Sequence, residues 1–348
     1  MVRMVQNNCK RFLQWLYSLH VLVIFFLPPV HAQDIHFSMF NACPLYLNPA
    51  QTGNFNGDWR AAANYRNQWN ALSVPFSTAA VSFDSKFYLL HQDFSAGVLF
   101  INDESGSVAL SVNKLYGSLG FRKVINHNVF HLGIQLGYVF KSLDLNKVTL
   151  PNQYNPLTGT FDSQLPGNEL NMGERLSNLD FNAGILWKKK IRMLEPELGL
   201  SFSHLNNPKE SFFDDSQRLP VRSTLYARLK ANLSDEFYVQ PALLFMNHKG
   251  SKETIAGVNA GLNVFGKQST VKELLAGIYL RNGFLSSSDA LAILAGATIG
   301  RIDLAICYDI TISGLKTATH NNGAFEITLQ YKSISTVLNS YSIPCERF

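Results

Sequence analysis

An alternation of apolar and polar residues with a period of two is the feature that most constrains the fold of this chain. Residues 130–140 carry an apolar side chain at every second position, and the positions between them include His131, Gly133, Gln135 and Gly137. Successive side chains of a β-strand point to opposite faces, so the pattern predicts a strand with one apolar and one polar face. The same alternation recurs at 179–188, 301–310 and 325–331.

The alternation extends over the chain after residue 33. About fourteen segments show it, and most have roughly the ten residues that a tilted strand needs to cross a bilayer. They begin near Trp59, Thr78, Ser95, Ser111, Val129, Leu179, Glu195, Val221, Glu236, Ile255, Glu273, Ala290, Arg301 and Gly323. The longest uncharged apolar stretch of this region, 290–300, is too short for a membrane-spanning helix.

A soluble β-sandwich would show the same alternation, so other observations must place the apolar face. Aromatic residues lie near strand ends, as Phe130, Tyr138 and Phe140 do. Long connections, at about 142–178, 206–220 and 311–322, follow odd-numbered segments, whereas short ones follow even-numbered segments. Outer-membrane barrels have this asymmetry, with long external loops and short periplasmic turns. We therefore predict an all-β fold: a transmembrane antiparallel β-barrel of about 14 strands over residues 58–332, in the outer membrane of a Gram-negative cell.

The first residues predict a cleaved secretory signal peptide over 1–32. Basic residues precede an apolar run at 12–27, and the small-residue pattern Val30, His31, Ala32 comes directly before Gln33. The alternative is an N-terminal membrane anchor, although Gln14 and His20 interrupt the short run.

Two segments flank the predicted barrel. Residues 33–57 contain Pro44, Pro49 and several aromatic side chains, and they either plug the lumen or contact a periplasmic partner. Residues 333–348 are interpreted as a periplasmic tail, because Pro344 and the distance from the last strand argue against a strand there. The cysteines after the leader are Cys43, Cys307 and Cys345, and their spacing forms no metal motif. Two alternatives stay open: all three are free thiols, or two of them form one disulfide bridge.

Composition excludes several classes. With 46% hydrophobic and 16% charged residues the chain is not disordered, and a mean hydropathy of +0.00 is too low for a bundle of membrane helices. The net charge of +5 is spread over the sequence. Its tight basic cluster, Lys188, Lys189, Lys190 and Arg192, is interpreted as a solvated turn and not as a nucleic-acid site.

Charged residues fall on the polar face of the predicted strands and would line the barrel lumen. They are Asp84, Lys86, Asp180, Arg228, Lys230, Arg301, Asp303, Asp309 and Glu326. Their mixed signs fit either a pore or pairs that hold a filled interior together. We favour the filled interior, because Tyr226, Tyr238, Leu244 and Met246 also point inward.

No sequence pattern indicates catalysis. The chain lacks G-x-S-x-G, H-E-x-x-H, P-loop and EF-hand patterns, so we predict no catalytic residues, cofactor or metal site. His131 is interpreted as a lumen histidine and not as a catalytic base. Asp214 and Asp215 are interpreted as a solvated loop, with a calcium site as the alternative.

Several strings resemble the PorP/SprF family of outer-membrane proteins. They are QDIHFSMFNACPLYLNPA at 33–50, NYRNQWNALSVPFSTAAVSFD at 64–84, QPALLFMNHKG at 240–250, CYDITISGL at 307–315, GAFEITLQY at 323–331 and PCERF at 344–348. Two positions depart from the family pattern, since Cys43 stands where asparagine is expected and Ile35 where proline is expected.

The resemblance implies a non-enzymatic component of the type IX secretion and gliding-motility machinery, which supports secretion or surface attachment of a cognate adhesin. Its implied partners are other type IX components in the outer membrane and periplasm, an adhesin with a type IX C-terminal signal, and outer-membrane lipid. Two alternatives stay open: an outer-membrane channel or transporter for small hydrophobic or polar solutes, and a barrel enzyme.

Overall fold

The computed structural model of this chain describes residues 35–68, 75–105, 110–144, 154–155, 159–161, 175–212, 217–249, 251–265, 270–283, 288–314, 316–319 and 322–336. The predicted signal peptide, the Asp214–Asp215 pair, Cys345 and most of the predicted tail lie outside the described residues.

The described residues form strands almost throughout. In chain order these are β1 (Trp59–Gln68), β2 (Phe76–Leu89), β3 (Gln92–Ser105), β4 (Leu110–Ile125), β5 (Asn128–Leu143), β6 (Tyr154–Asn155), β7 (Thr160–Phe161), β8 (Arg175–Lys189), β9 (Leu194–Ser203), β10 (Arg222–Asn232), β11 (Phe237–His248), β12 (Ser251–Asn263), β13 (Val271–Asn282), β14 (Ser288–Ile299), β15 (Ile302–Thr311) and β16 (Asn322–Lys332). Two single-turn helices, α1 (Pro44–Leu47) and α2 (Lys316–Thr319), and a 3₁₀ turn (Pro49–Gln51) complete the described elements.

The strands close into an antiparallel barrel. Its order around the wall is β1-β16-β15-β14-β13-β12-β11-β10-β9-β8-β5-β4-β3-β2, so 14 of the described strands take part, and within the described residues β6 pairs with β7. The first and last strands pair from Arg60 with Lys332 to Gln68 with Ala324. This closure gives hydrogen-bond partners to the backbone groups that a sheet edge would leave unpaired. Such pairing is required in lipid, which offers no hydrogen bonds to the backbone.

The prediction of a barrel of about 14 strands is confirmed. The predicted starts lie close to the observed ones, with the largest differences at β8 and β12, which begin at Arg175 and Ser251. In both strands the first residues lie before the apolar–polar alternation of the sequence becomes regular. Among the described residues, no helix is long and apolar enough to cross a membrane.

The outer face is apolar and the inner face is polar, as the alternation predicts. On β5, His131 is 2% exposed, whereas Leu132 and Ile134 are 49% and 61% exposed. At one end of the outer face the Trp59 ring stacks on Tyr331, with ring centroids 5.0 Å apart, and lies 5.7 Å from Phe83. Aromatic rings at this level are typical of the interfacial girdles of membrane barrels.

The two ends of the barrel differ in their connections. At the short-turn mouth, two-residue turns join β2 to β3 and β4 to β5, and their residues Leu90, His91, Asn126 and His127 have positive φ angles. Such turns match the twist of a tight hairpin. At the long-loop mouth lie the connections 144–174, 204–221 and 312–321. The three longest connections therefore all emerge at one end, as predicted, although β11 and β12 are joined there by residues 249–250 and β12 and β13 at the other end by residues 264–270.

Candidate functional site

Residues 35–57, here called the plug, lie inside the barrel. Its apolar side chains are buried on the inner wall, with Phe37, Met39, Phe40, Leu45 and Leu47 no more than 7% exposed. They form two clusters with inward-facing wall residues. One cluster contains Tyr226, Leu244, Ile255 and Tyr279, and the other contains Leu99, Ile101, Val112 and Tyr116. The plug therefore supplies much of the apolar core that the wall lacks by itself.

The plug runs lengthwise through the lumen. Near its start, Ser38 contacts Asp309 and Glu326, which lie in the halves of β15 and β16 closer to the long-loop mouth. Near its end, the carbonyl of Phe55 accepts a hydrogen bond from Lys86 at the other end of the barrel. The first described residues of the chain therefore lie deep in the barrel, towards the long-loop mouth.

Two glycines let the plug approach the wall closely. A Cβ at Gly133 would lie 2.2 Å from the carbonyl carbon of Pro49. A Cβ at Gly184 would lie 1.9 Å from Oδ1 of Asn48. A side chain at either position would displace the plug or the strand, so these glycines are required by the close packing at the 3₁₀ turn.

The upper charge cluster, defined as Arg66, Arg281, Asp309 and Glu326, holds the start of the plug. The backbone N–H groups of Ser38 and Met39 donate to the two carboxylate oxygens of Glu326, at 2.7 and 3.0 Å. The Ser38 hydroxyl donates to Oδ2 of Asp309 at 2.6 Å. The carboxylates of this cluster thus bind the plug and the arginines of the wall together.

Within the upper charge cluster each carboxylate also pairs with arginine. Asp309 Oδ2 lies 3.2 Å from Nη2 of Arg66 and 3.0 Å from Nη1 of Arg281, and Glu326 pairs with Arg66. Asp309 and Glu326 are 0% and 1% exposed. Charges this deeply buried are tolerated because each has a partner of opposite sign and further hydrogen bonds.

Polar contacts also hold the middle and the end of the plug. The side-chain amide of Gln51 donates to the Tyr226 hydroxyl at 2.6 Å and to the Glu197 carboxylate at 2.9 Å. Further along, the Gly53 N–H donates to Oδ2 of Asp84 at 2.8 Å. Arg60 completes this contact with two hydrogen bonds to the Asp84 carboxylate, at 2.9 and 2.8 Å.

The predicted lumen-facing charges occupy several environments. Asp84, Asp180, Asp309 and Glu326 are buried. Asp180 accepts one hydrogen bond from the Tyr116 hydroxyl and lies 3.0 Å from Nδ1 of His204. Lys86 contacts the plug carbonyl of Phe55, and Arg228 pairs with Glu197. The Lys230 ammonium lies 3.8 Å from the centre of the Tyr238 ring, and Asp303 pairs with Lys332.

Arg301 differs from the other predicted lumen residues. It is exposed in the turn between β14 and β15, after Gly300, whose φ is +63°. Its position continues the alternation of β15, but the strand begins one residue later, at Ile302, and a turn side chain has no wall to face.

The arginines of the site, Arg60, Arg66 and Arg281, were missed in the sequence analysis. They lie on the polar faces of β1 and β13 and could have been found by extending the alternation to those strands.

The described cysteines are free thiols. Cys43 and Cys307 are each 2% exposed and neither forms a disulfide. Burial raises the pKa of the Cys43 thiol to about 12, which keeps it protonated and unreactive at neutral pH. Within the described ranges, no group of three or more His, Cys, Asp or Glu side chains is placed to hold a metal ion.

The sequence of residues 30–331 matches a known family, described as type IX secretion system membrane protein PorP/SprF. The chain belongs to the PorP/SprF family. It is accordingly a membrane protein of the type IX secretion system, located in the outer membrane, and its family associates it with other components of that system. In an outer-membrane barrel of this kind the short-turn mouth faces the periplasm.

Solved structures share the fold of this PorP/SprF protein. A monoaromatic hydrocarbon channel, the TodX deltaS2S3 mutant, aligns with a TM-score of 0.52 at 10% sequence identity, covering 82% of this chain and 92% of its own. The Pseudomonas putida toluene transporter TodX aligns with a TM-score of 0.51 at 10% identity, covering 87% and 98%. At this identity the similarity shows a common barrel architecture. Comparison with curated protein sequences gives no match.

Proposed function

We propose that this protein is a non-enzymatic outer-membrane component of the type IX secretion and gliding-motility machinery that supports secretion or surface attachment of a cognate adhesin. The observation that carries the proposal is the plug. Buried contacts at Asp309, Glu326, Glu197 and Asp84 hold it inside the barrel, so the protein's own chain occupies the lumen. A filled barrel acts through the surfaces at its two mouths.

The buried polar groups support the non-enzymatic part of the proposal. The Asp309 and Glu326 carboxylates form ion pairs with wall arginines and accept hydrogen bonds from the plug. The Asp180–His204 pair lies inside the wall, with each residue no more than 2% exposed. A catalytic base must reach the group it deprotonates, and a pair enclosed by the wall and the plug offers no such access.

The test compares cells with and without this gene. Outer-membrane fractions and culture medium are analysed by mass spectrometry, and the deletion strain is complemented with the intact gene. We expect one or a few surface adhesins to be lost on deletion and restored by complementation. An unchanged surface and secreted proteome, with the protein present in the outer membrane of the parent strain, would refute the proposal.

The second candidate is a channel for small hydrophobic or polar solutes, and the architecture shared with the TodX channel structures favours it. The plug opposes it, because Tyr226, Leu244 and Tyr279 pack against plug residues where a solute would pass. Conductance in planar bilayers and uptake of uncharged solutes into liposomes test the channel. Steady conductance or uptake with the intact chain would support it, and the absence of both would contradict it.

A further inference from the structure

A cavity lies between the plug and the wall at the periplasmic mouth. Its volume is about 480 Å³, which is within the range of ligand pockets, about 300–1,000 Å³. Several plug residues between Asn41 and Asn56 line it, together with the periplasmic ends of β1, β5, β8 to β11 and β16. We call it the periplasmic vestibule. Its size suits a short segment of extended chain and excludes a folded domain.

The lining of the vestibule has an excess of positive charge. Arg60 and Arg228 line it but are paired, with Asp84 and Glu197 respectively. Among the described residues, three other lining side chains, Lys188, Lys189 and Lys230, form no ion pair with a carboxylate. The vestibule is thus cationic even after its internal pairs are counted.

Two of these lysines are held in place by uncharged groups. The Lys188 ammonium donates to Oδ1 of Asn54 in the plug, and Lys230 lies over the Tyr238 ring at 3.8 Å. Both side chains are half-buried. Charges fixed at the wall of a recess interact with an incoming anion more strongly than lysines in bulk water, because the walls exclude solvent and limit screening.

The other lining groups suit a peptide. Gln51, Asn54, Gln240 and Gln330 line the vestibule. The side-chain amides of Gln51, Asn54 and Gln330 already form hydrogen bonds with plug or wall groups, whereas that of Gln240 forms none among the described residues. An amide offers both a donor and an acceptor, and can therefore pair with the N–H and C=O groups of an extended chain. A phosphate ligand, by contrast, is bound best by several free arginines, and here Arg60 and Arg228 are engaged by carboxylates.

We propose that the periplasmic vestibule binds an acidic peptide segment of a partner protein, with its carboxylates paired to Lys188 and Lys230. This rests on the proposed function, in which the protein works with other components of the secretion machinery on the periplasmic side. The vestibule is where such a partner can reach both the wall and the plug.

The experiment uses the full-length protein in detergent and a short fluorescein-labelled peptide of alternating glutamate and glycine as the probe. Fluorescence anisotropy gives the affinity of the parent, of the double variant Lys188→Gln with Lys230→Gln, and of a matched control. The control, Lys249→Gln with Lys252→Gln, removes two exposed lysines at the long-loop mouth. A peptide of alternating lysine and glycine measures attraction that does not depend on negative charge.

We expect the acidic peptide to bind the parent and the control equally, and the vestibule variant about tenfold more weakly, with affinity falling as NaCl is added. Intact heat-modifiable migration of the vestibule variant on gels verifies its folding. If it misfolds, the single variant Lys230→Gln, which leaves the Asn54 contact in place, is measured instead.

Three results would overturn the proposal: no binding of the acidic peptide to the parent, equal loss of affinity in the control, or tighter binding of ATP than of the peptide, which would indicate a phosphate ligand. Failure of the proposed function is a separate outcome. If gene deletion leaves the surface proteome unchanged but peptide binding still depends on Lys188 and Lys230, the vestibule binds acidic peptides and the proposed role in adhesin secretion is wrong.

Discussion

Neutralising one buried carboxylate should loosen the plug measurably. Glu326 accepts two backbone N–H groups of the plug and pairs with Arg66 at 1% exposure. Glu326→Gln keeps the shape but leaves Arg66 with Asp309 as its one remaining carboxylate in the upper charge cluster. Breaking a buried ion pair costs about 3–5 kcal/mol, and the retained amide oxygen places this variant near the lower end, at about 3 kcal/mol.

The reactivity of Cys43 reports this loosening. Its thiol is 2% exposed with a pKa near 12, so it reacts with a maleimide only when the plug leaves the wall. A destabilisation of about 3 kcal/mol of the docked plug predicts labelling about 100-fold faster than in the parent. The assay uses a chain whose other cysteines are replaced by alanine, and mass spectrometry follows the modification.

Glu104→Gln serves as the control, because Glu104 is exposed near the long-loop end of β3 and its loss should not change labelling. Urea-unfolded protein gives the rate of a fully accessible thiol. A Glu326→Gln variant that labels within about twofold of the parent, while the unfolded sample reacts fast, would show that the upper charge cluster does not hold the plug.

Three further predictions follow from the wall and the plug. Gly133→Ala should speed Cys43 labelling, because its Cβ would lie 2.2 Å from the plug backbone, whereas Gly117→Ala, with no atom within 4 Å, should not. Deletion of residues 35–57 should leave a barrel that conducts ions in planar bilayers, and a closed bilayer with correctly folded deletion protein would contradict the plug's blocking role. Ile134→Arg, on the lipid face, should lower the free energy of unfolding in liposomes by about 2–4 kcal/mol, and Leu90→Arg, in a short turn, by no more than about 1 kcal/mol. Equal losses at the two sites, measured by urea titration, would contradict the placement of the membrane.

The wall was largely predictable because a strand's pattern is local. Each side chain alternates with its neighbours, so 130–140 alone is enough to assign an inner and an outer face to β5. The lengths of the connections then separate the two mouths. Arg301 could not be placed from the pattern, because the alternation continues through a turn and the backbone alone shows that the strand begins at Ile302.

The sequence by itself determined the strand number, the two faces of the wall and the membership in the PorP/SprF family. The strands and their faces depend on residues close together in the chain, and the family membership depends on short sequence motifs. The tertiary structure alone decided where residues 35–57 go and which charges meet. Ser38 and Glu326 are separated by 288 positions, and no local pattern pairs them. Their contact exists because closing the barrel leaves a lumen whose buried carboxylates and apolar side chains need partners, and the plug is the segment that supplies them.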